Sequence, residues 1–187
     1  DPEHERKTQP AMGEAPDPTL YFVQQLVIDF SLVGRNHFLA GTERRENDSE
    51  HTLAVTLMSW FILEKYNLEL DEAKVLKYAL AHDLIEARAG DVNAFASDAE
   101  RQQKVEDEAV ALEVLSGEFA DFGGLVVAMQ SYEDKEDDEA VFVWTVDKVQ
   151  ALIMGEMDEW RPYRILNINY QSFCDKYKDV IERSSPH

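Results

Sequence analysis

Apolar residues recur at intervals of three and four along most of this chain, and nowhere do they alternate with polar ones for long. The first pattern lines one side of an α-helix, whereas a half-buried strand needs the second. No Asn-Gly or Asp-Gly pair stands between alternating runs to close a hairpin. The expected fold is therefore all-α, with six or seven helices.

The first expected helix covers residues 18–33, where Leu20, Val23, Leu26, Val27 and Phe30 share helical spacing and Gly34 supplies a stop. Residues 35–48 read as a loop, with Asp48 or Ser49 capping a second helix that runs to about Tyr66. A third helix is expected from Asp71 to Ala89–Gly90. Residues 93–98 read as a loop and 99–116 as a fourth helix. A short helix over 119–132 is weakened by Gly123 and Gly124. A long apolar helix over 136–157 and an amphipathic one over 170–184 close the set. Residues 1–17 carry three prolines and no periodicity, so they read as a disordered tail or a cloning remnant. Residues 18–187 read as one domain, in keeping with a prior of about 150 residues per domain.

Charge narrows the function. The chain has 18 Lys and Arg against 38 Asp and Glu, a formal charge of −20. Such a surface repels polyanions, so a nucleic acid polymer is an unsuitable ligand. A small phosphorylated ligand stays possible, because a bound metal or local arginines can reverse the field within one pocket. Cys174 is the single cysteine, which excludes an intrachain disulfide. No run of about 18 apolar residues spans a membrane, and no apolar signal core opens the chain. These absences point to a cytoplasmic protein.

Against that background a few ionisable residues stand out for sitting in or at the ends of apolar helices. Glu50–His51 opens the second helix, and His82–Asp83 closes the run AKVLKYALAHDL. Asp147 interrupts VFVWTVDKVQALI, where it shares a helical face with Val143, Gln150 and Met154 and so points inward. Lys148 follows it, but residues i and i+1 diverge by about 100° on a helix, which places the two on different faces. A buried carboxylate stays charged only beside a partner. Two imidazoles and two carboxylates form a ligand mixture suited to one borderline divalent ion such as Mn, Fe, Co, Ni or Zn.

The order His51, His82–Asp83, Asp147, with gaps of 31 and 64 residues, resembles the HD-domain metal-dependent phosphohydrolases. The blocks REND-SEHTLAV, ALAHDLIEARAGD and VDKVQAL are similar to the bacterial 5′-deoxynucleotidase branch of that family. The resemblance implies a compact HD-domain helical bundle, with His51, His82, Asp83 and Asp147 as metal ligands. It implies Glu86 as the catalytic glutamate, Asp91 as a contact to the deoxyribose hydroxyl and Arg35 as a phosphate ligand. The family usually carries an aromatic directly after that arginine; here Asn36, His37 and Phe38 follow. A lysine that some members carry after the GD pair is missing, and Arg88, Arg101 or Lys104 could replace it. The implied activity is removal of the 5′-phosphate from deoxyribonucleoside monophosphates. Cleavage of dNTPs to deoxynucleoside and tripolyphosphate is the alternative, and a non-catalytic module binding metal and nucleotide is the second. A homo-oligomer, with a dimer favoured, is implied as well.

Overall fold

The computed structural model describes residues 15–91 and 97–184. Helix α1 (Pro18–Leu32) leads into two short strands, β1 (Gly34–Phe38) and β2 (Arg45–Asn47), and then α2 (Asp48–Tyr66). There follow α3 (Glu72–Ala81), the single turn α4 (Glu86–Ala89), α5 (Asp98–Glu118), α6 (Gly123–Asp134), α7 (Asp138–Met157), the short α8 (Arg161–Ile165) and α9 (Tyr170–Ser184). The architecture is all-α apart from that strand pair. Seven of the helical segments among the described residues have ten residues or more, and α4 and α8 are the shorter additions.

Three expectations are corrected. The expected loop 35–48 contains an antiparallel hairpin, in which Gly34 faces Asn47 and Phe38 faces Arg45. Three residues of β1 thus stand opposite the single residue Glu46 of β2, a bulge that no alternating pattern announces. The hairpin is held by side chains: Phe38 lies beneath the guanidinium groups of Arg45, at 4.9 Å, and Arg161, at 4.0 Å. The cap of α2 is Asn47, one residue before Asp48 and two before Ser49, the expected caps; Asn47 and Glu50 form a reciprocal capping box.

The third correction concerns the site directly. The expected helix 71–89 breaks after Ala81. The His82 Nδ1 donates to the Ala79 carbonyl at 2.8 Å, and that oxygen is the one the Asp83 amide would use in a continuing α-helix. The chain then tightens to i→i−3 bonds, from Leu84 to Ala81 and from Glu86 to Asp83. Residues 1–14 of the expected tail and residues 93–96 of the expected loop 93–98 lie outside the described residues, while Asp17, placed in that tail, caps α1 through the Thr19 amide.

The core joins α2, α3, α5, α6 and α7 through fully buried Val55, Val75, Leu115, Phe119, Met129 and Val143. Each such side chain contributes about 1.5–3 kcal/mol of burial, which fixes the helices on which the polar residues ride. Lys74 of α3 bridges Asp137 (3.0 Å) and Glu139 (2.9 Å) at the start of α7, holding α3 and α7 side by side. No helix among the described residues is long and apolar enough to cross a membrane.

Candidate metal centre

His51 lies in the first turn of α2, His82 and Asp83 at the break after α3, and Asp147 midway along α7. All three helices face one another, so their polar residues meet at one point. The Nε2 atoms of His51 and His82 stand 3.3 Å apart. Asp83 Oδ2 lies 3.5 Å from the first and 3.2 Å from the second. These three residues each offer a ligand atom within 4.8 Å of the others. Asp147 joins them through His51, its Oδ1 lying 3.0 Å from His51 Nε2. His51, His82 and Asp147 are buried.

The donor set fits a cation. His82 spends its Nδ1 proton on a carbonyl, so the neutral ring presents a bare Nε2 to the centre. Beside that nitrogen stand the His51 Nε2 and Asp83 Oδ2, with Asp147 Oδ1 against His51, atoms that all seek positive charge. Imidazole nitrogen and carboxylate oxygen are the ligand types of borderline divalent ions. His51, His82, Asp83 and Asp147 could hold such an ion.

Arg35 of β1 reaches the same carboxylates. Its Nη1 donates to Asp48 Oδ1 at 2.9 Å and to Asp83 Oδ2 at 2.8 Å, and lies 3.8 Å from Glu86 Oε2. Glu86 is buried at the start of α4, with Oε1 2.7 Å from Lys104 Nζ of α5 and Oε2 without a hydrogen bond. Asp91 is half-buried after α4 and makes no hydrogen bond or ion pair among the described residues; its charge acts on Arg35, Glu86 and Lys104. All seven residues singled out in the sequence therefore share one region.

Burial and charge set these groups apart. Burial pushes Glu86 up to about 9, reinforced by the Asp83 charge and opposed by Lys104. Burial also raises Asp48, to about 6, against the pull of Arg35. Asp83 is held well below the carboxylate range: the rise that burial causes is outweighed by His82 and Arg35. Burial lowers His82, but Asp83, Asp147 and the bond to the Ala79 carbonyl together raise it more, so that it ends above its ordinary value. One set of neighbours thus keeps Asp83 an anion and favours a proton on Glu86, the separation that acid–base chemistry uses.

Several members of the site were missed or misplaced in the sequence. Lys148 does meet Asp147: its Nζ lies 2.6 Å from Asp147 Oδ2. The divergence of successive helical residues constrains Cβ directions, and a four-carbon stem is long enough to fold back across them. Asp48, one of the two expected cap residues, is fully buried against Arg35. Glu46 stands in the block REND, but a loop over 35–48 gives it no role. Of the candidate replacement cations, Lys104 reaches the site. Arg88 turns away to Asp29 at 2.7 Å and Glu118 at 3.0 Å. The side chain of Arg101 lies outside the described residues. His37, two residues after Arg35 on β1, contacts Tyr163 Oη at 3.4 Å; burial and the Arg35 charge lower it to about 4, so it is neutral near pH 7.

The family model for the HD domain matches residues 32–187. The chain belongs to the HD-domain family, whose helical fold it shares. Its class is that of the HD-domain metal-dependent phosphohydrolases. Among known proteins it is similar to a 5′-deoxynucleotidase HDDC2 of Dictyostelium discoideum, with 28% identity over 143 residues, covering 72% of this chain and 75% of that protein. A predicted metal-dependent phosphohydrolase from Magnetospirillum magnetotacticum MS-1 has the same fold, with a TM-score of 0.72, 24% identity and coverage of 90% of this chain and 86% of that one. A conserved hypothetical protein from Pyrococcus furiosus also shares it, with a TM-score of 0.63, 22% identity and coverage of 87% and 90%.

Proposed function

We propose that this protein removes the 5′-phosphate from deoxyribonucleoside monophosphates, with a divalent ion held by His51, His82, Asp83 and Asp147. The observation that carries the reading is the meeting of two imidazole Nε2 atoms and Asp83 within 3.5 Å, beside a buried Glu86 and a half-buried arginine. The Dictyostelium relative supports the choice of a deoxyribonucleotide.

When bound, the ion supplies positive charge to phosphate oxygens and lowers the pKa of water towards about 7. The remaining work falls to the chain. Arg35 exchanges part of its contact with Asp48 and Asp83 for phosphate oxygens, a partner its fork of N–H groups matches. Glu86 handles the proton, taken from the attacking water or given to the leaving O5′. Its Oε2 is free to do so, because Lys104 fixes the other oxygen. Asp91 accepts a hydrogen bond from the sugar hydroxyl. Lys148 holds Asp147 from the side away from His51.

A panel of dNMPs and dNTPs, assayed with added Mn²⁺ or Co²⁺, tests the reading. Orthophosphate from the monophosphates supports it. Tripolyphosphate from dNTPs would instead select the triphosphohydrolase, and no product with any metal would select a binding module.

A further inference from the structure

Behind His51, on the side away from the metal centre, lies a chain of polar contacts that the proposed chemistry does not use. His51 Nδ1 stands 2.9 Å from Gln150 Oε1, and Gln150 Nε2 stands 2.8 Å from Glu46 Oε1. The three side chains come from α2, α7 and β2, and their residues are 0%, 1% and 2% exposed. Glu46 Oε2 has no hydrogen bond and lies 3.9 Å from His51 Nδ1, too far to accept from it.

The order of donors along this chain follows from what each group can do. The amide of Gln150 has one end that only donates and one that only accepts. Glu46 presents a carboxyl oxygen, so the donating end turns to it. The accepting end must then face His51, and Nδ1 must carry the proton. A neutral imidazole has one N–H, so His51 Nε2 is left bare. Reversing the amide would set two oxygens against each other at the Glu46 end. It would also put an N–H against His51 Nδ1 and move the ring proton to Nε2. There, 3.0 Å from Asp147 Oδ1, His51 would form a closed hydrogen bond with another intended ligand. Two arrangements can therefore be drawn, of which the reversed one leaves an oxygen–oxygen contact at Glu46 and is the less favourable while Glu46 accepts. One offers both residues to an ion, and the other pairs them with each other.

We propose that Gln150, oriented by Glu46, is the positioning residue that selects the first arrangement, holding His51 as the Nδ1–H tautomer so that its Nε2 lone pair is available to the ion. This rests on the metal-centre reading above. His82 needs no such device, because its Nδ1 donates to the Ala79 carbonyl. Glu46 acts from the hairpin that also carries Arg35, so the strand pair that places the phosphate contact also sets the state of one ligand.

The test uses ¹⁵N-histidine-labelled full-length chain, stripped of metal, with two readouts: the His51 tautomer by long-range ¹H–¹⁵N correlation, and Mn²⁺ affinity by titration. Wild type should show His51 as Nδ1–H. Gln150→Met and Glu46→Met, both similar in volume to the native residues, should lose that preference and bind Mn²⁺ about 10–100-fold more weakly. The exchange Glu46→Gln with Gln150→Glu reverses the bond between positions 46 and 150 but keeps an acceptor against His51 Nδ1, and should restore both readouts. A purely structural role for Gln150 would lower thermal stability and leave the tautomer unchanged.

His51 as Nε2–H in the wild type overturns the proposal. So do folded variants that keep both the Nδ1–H form and wild-type affinity. A wild type that holds the Nδ1–H form yet takes up no Mn²⁺ overturns the metal-centre reading instead, so the tautomer signal separates the two failures. If either single variant does not fold, the exchanged pair decides: weak Mn²⁺ binding with the Nε2–H form counts against the relay.

Discussion

Replacing Arg35 by methionine should destabilise the metal-free protein far more than replacing Arg44, although Arg44 makes the better-looking ion pair. Arg44 grips Glu50 with two hydrogen bonds, at 2.9 and 2.7 Å, but the side chains are 56% and 36% exposed. Pairs in that setting contribute about 0.2–1 kcal/mol. Arg35 has single contacts of 2.9 and 2.8 Å to Asp48 and Asp83, and the three side chains are 15%, 0% and 17% exposed. At an effective dielectric near 20, each contact is worth about 6 kcal/mol gross. Desolvation offsets most of that while both partners are present. Removing the arginine alone leaves the buried Asp48 and the half-buried Asp83 without it, a loss of about 3–5 kcal/mol. Urea unfolding with chelator present, at neutral pH, measures both variants. With a slope of about 1–3 kcal/mol per molar, the Arg35→Met midpoint should fall by 1 M or more, roughly. Arg44→Met should move it little. Equal and small losses in the two variants would refute the assignment of buried charge compensation to Arg35.

Other outcomes follow from separate parts of the structure. Glu86→Gln should keep Mn²⁺ affinity while kcat for phosphate release falls about 10²–10⁴-fold; full activity would remove Glu86 from the proton step. A Cβ on Gly155 would stand 3.0 Å from Trp160 ring carbons and 3.2 Å from Tyr163 Cε2. Gly155→Ala should therefore cost about 1–3 kcal/mol of packing, more than the roughly 1 kcal/mol of helix propensity it gains, and calorimetry should show a lower Tm. Asp137 titrates low because hydrogen bonds from the Ala140 amide and Lys74 outweigh burial, and Glu139 titrates low because Lys74 donates to it. Their stabilisation is complete above the unfolded values, about 3.9 and 4.3, and is lost as pH falls through the lower native ones. Urea midpoints between pH 5 and 3 should thus fall more steeply in wild type than in Asp137→Asn, which keeps a capping side chain.

What could be seen in the sequence was what depends on periodicity. Val55, Val75 and Val143 announce their helices, because a buried stripe repeats with the helical turn whatever the tertiary context. The hairpin did not announce itself. Its strands are five and three residues long and differ in length across a bulge, so no alternation develops. The break after Ala81 was hidden for another reason: the apolar period runs on through Leu84 and Ile85, and the interruption comes from one histidine bonding one carbonyl. In the candidate site, the residues named in the sequence were those that form recognisable blocks. Asp48, Glu46 and Lys148 lie within the same blocks, but they act through long-range or folded-back contacts, over separations that spacing on a single helix does not encode. Lys148 shows where facial arithmetic ends, since it governs Cβ positions and a lysine extends well beyond its own.

The central claim is that helices distant in sequence bring His51, His82, Asp83 and Asp147 around one divalent ion. Anomalous scattering from crystals grown with Mn²⁺ tests it most directly. The account predicts one strong manganese peak bonded to both Nε2 atoms and to the two aspartates, absent in crystals of His82→Ala. A peak elsewhere, or none at this centre in the wild-type protein, would contradict it.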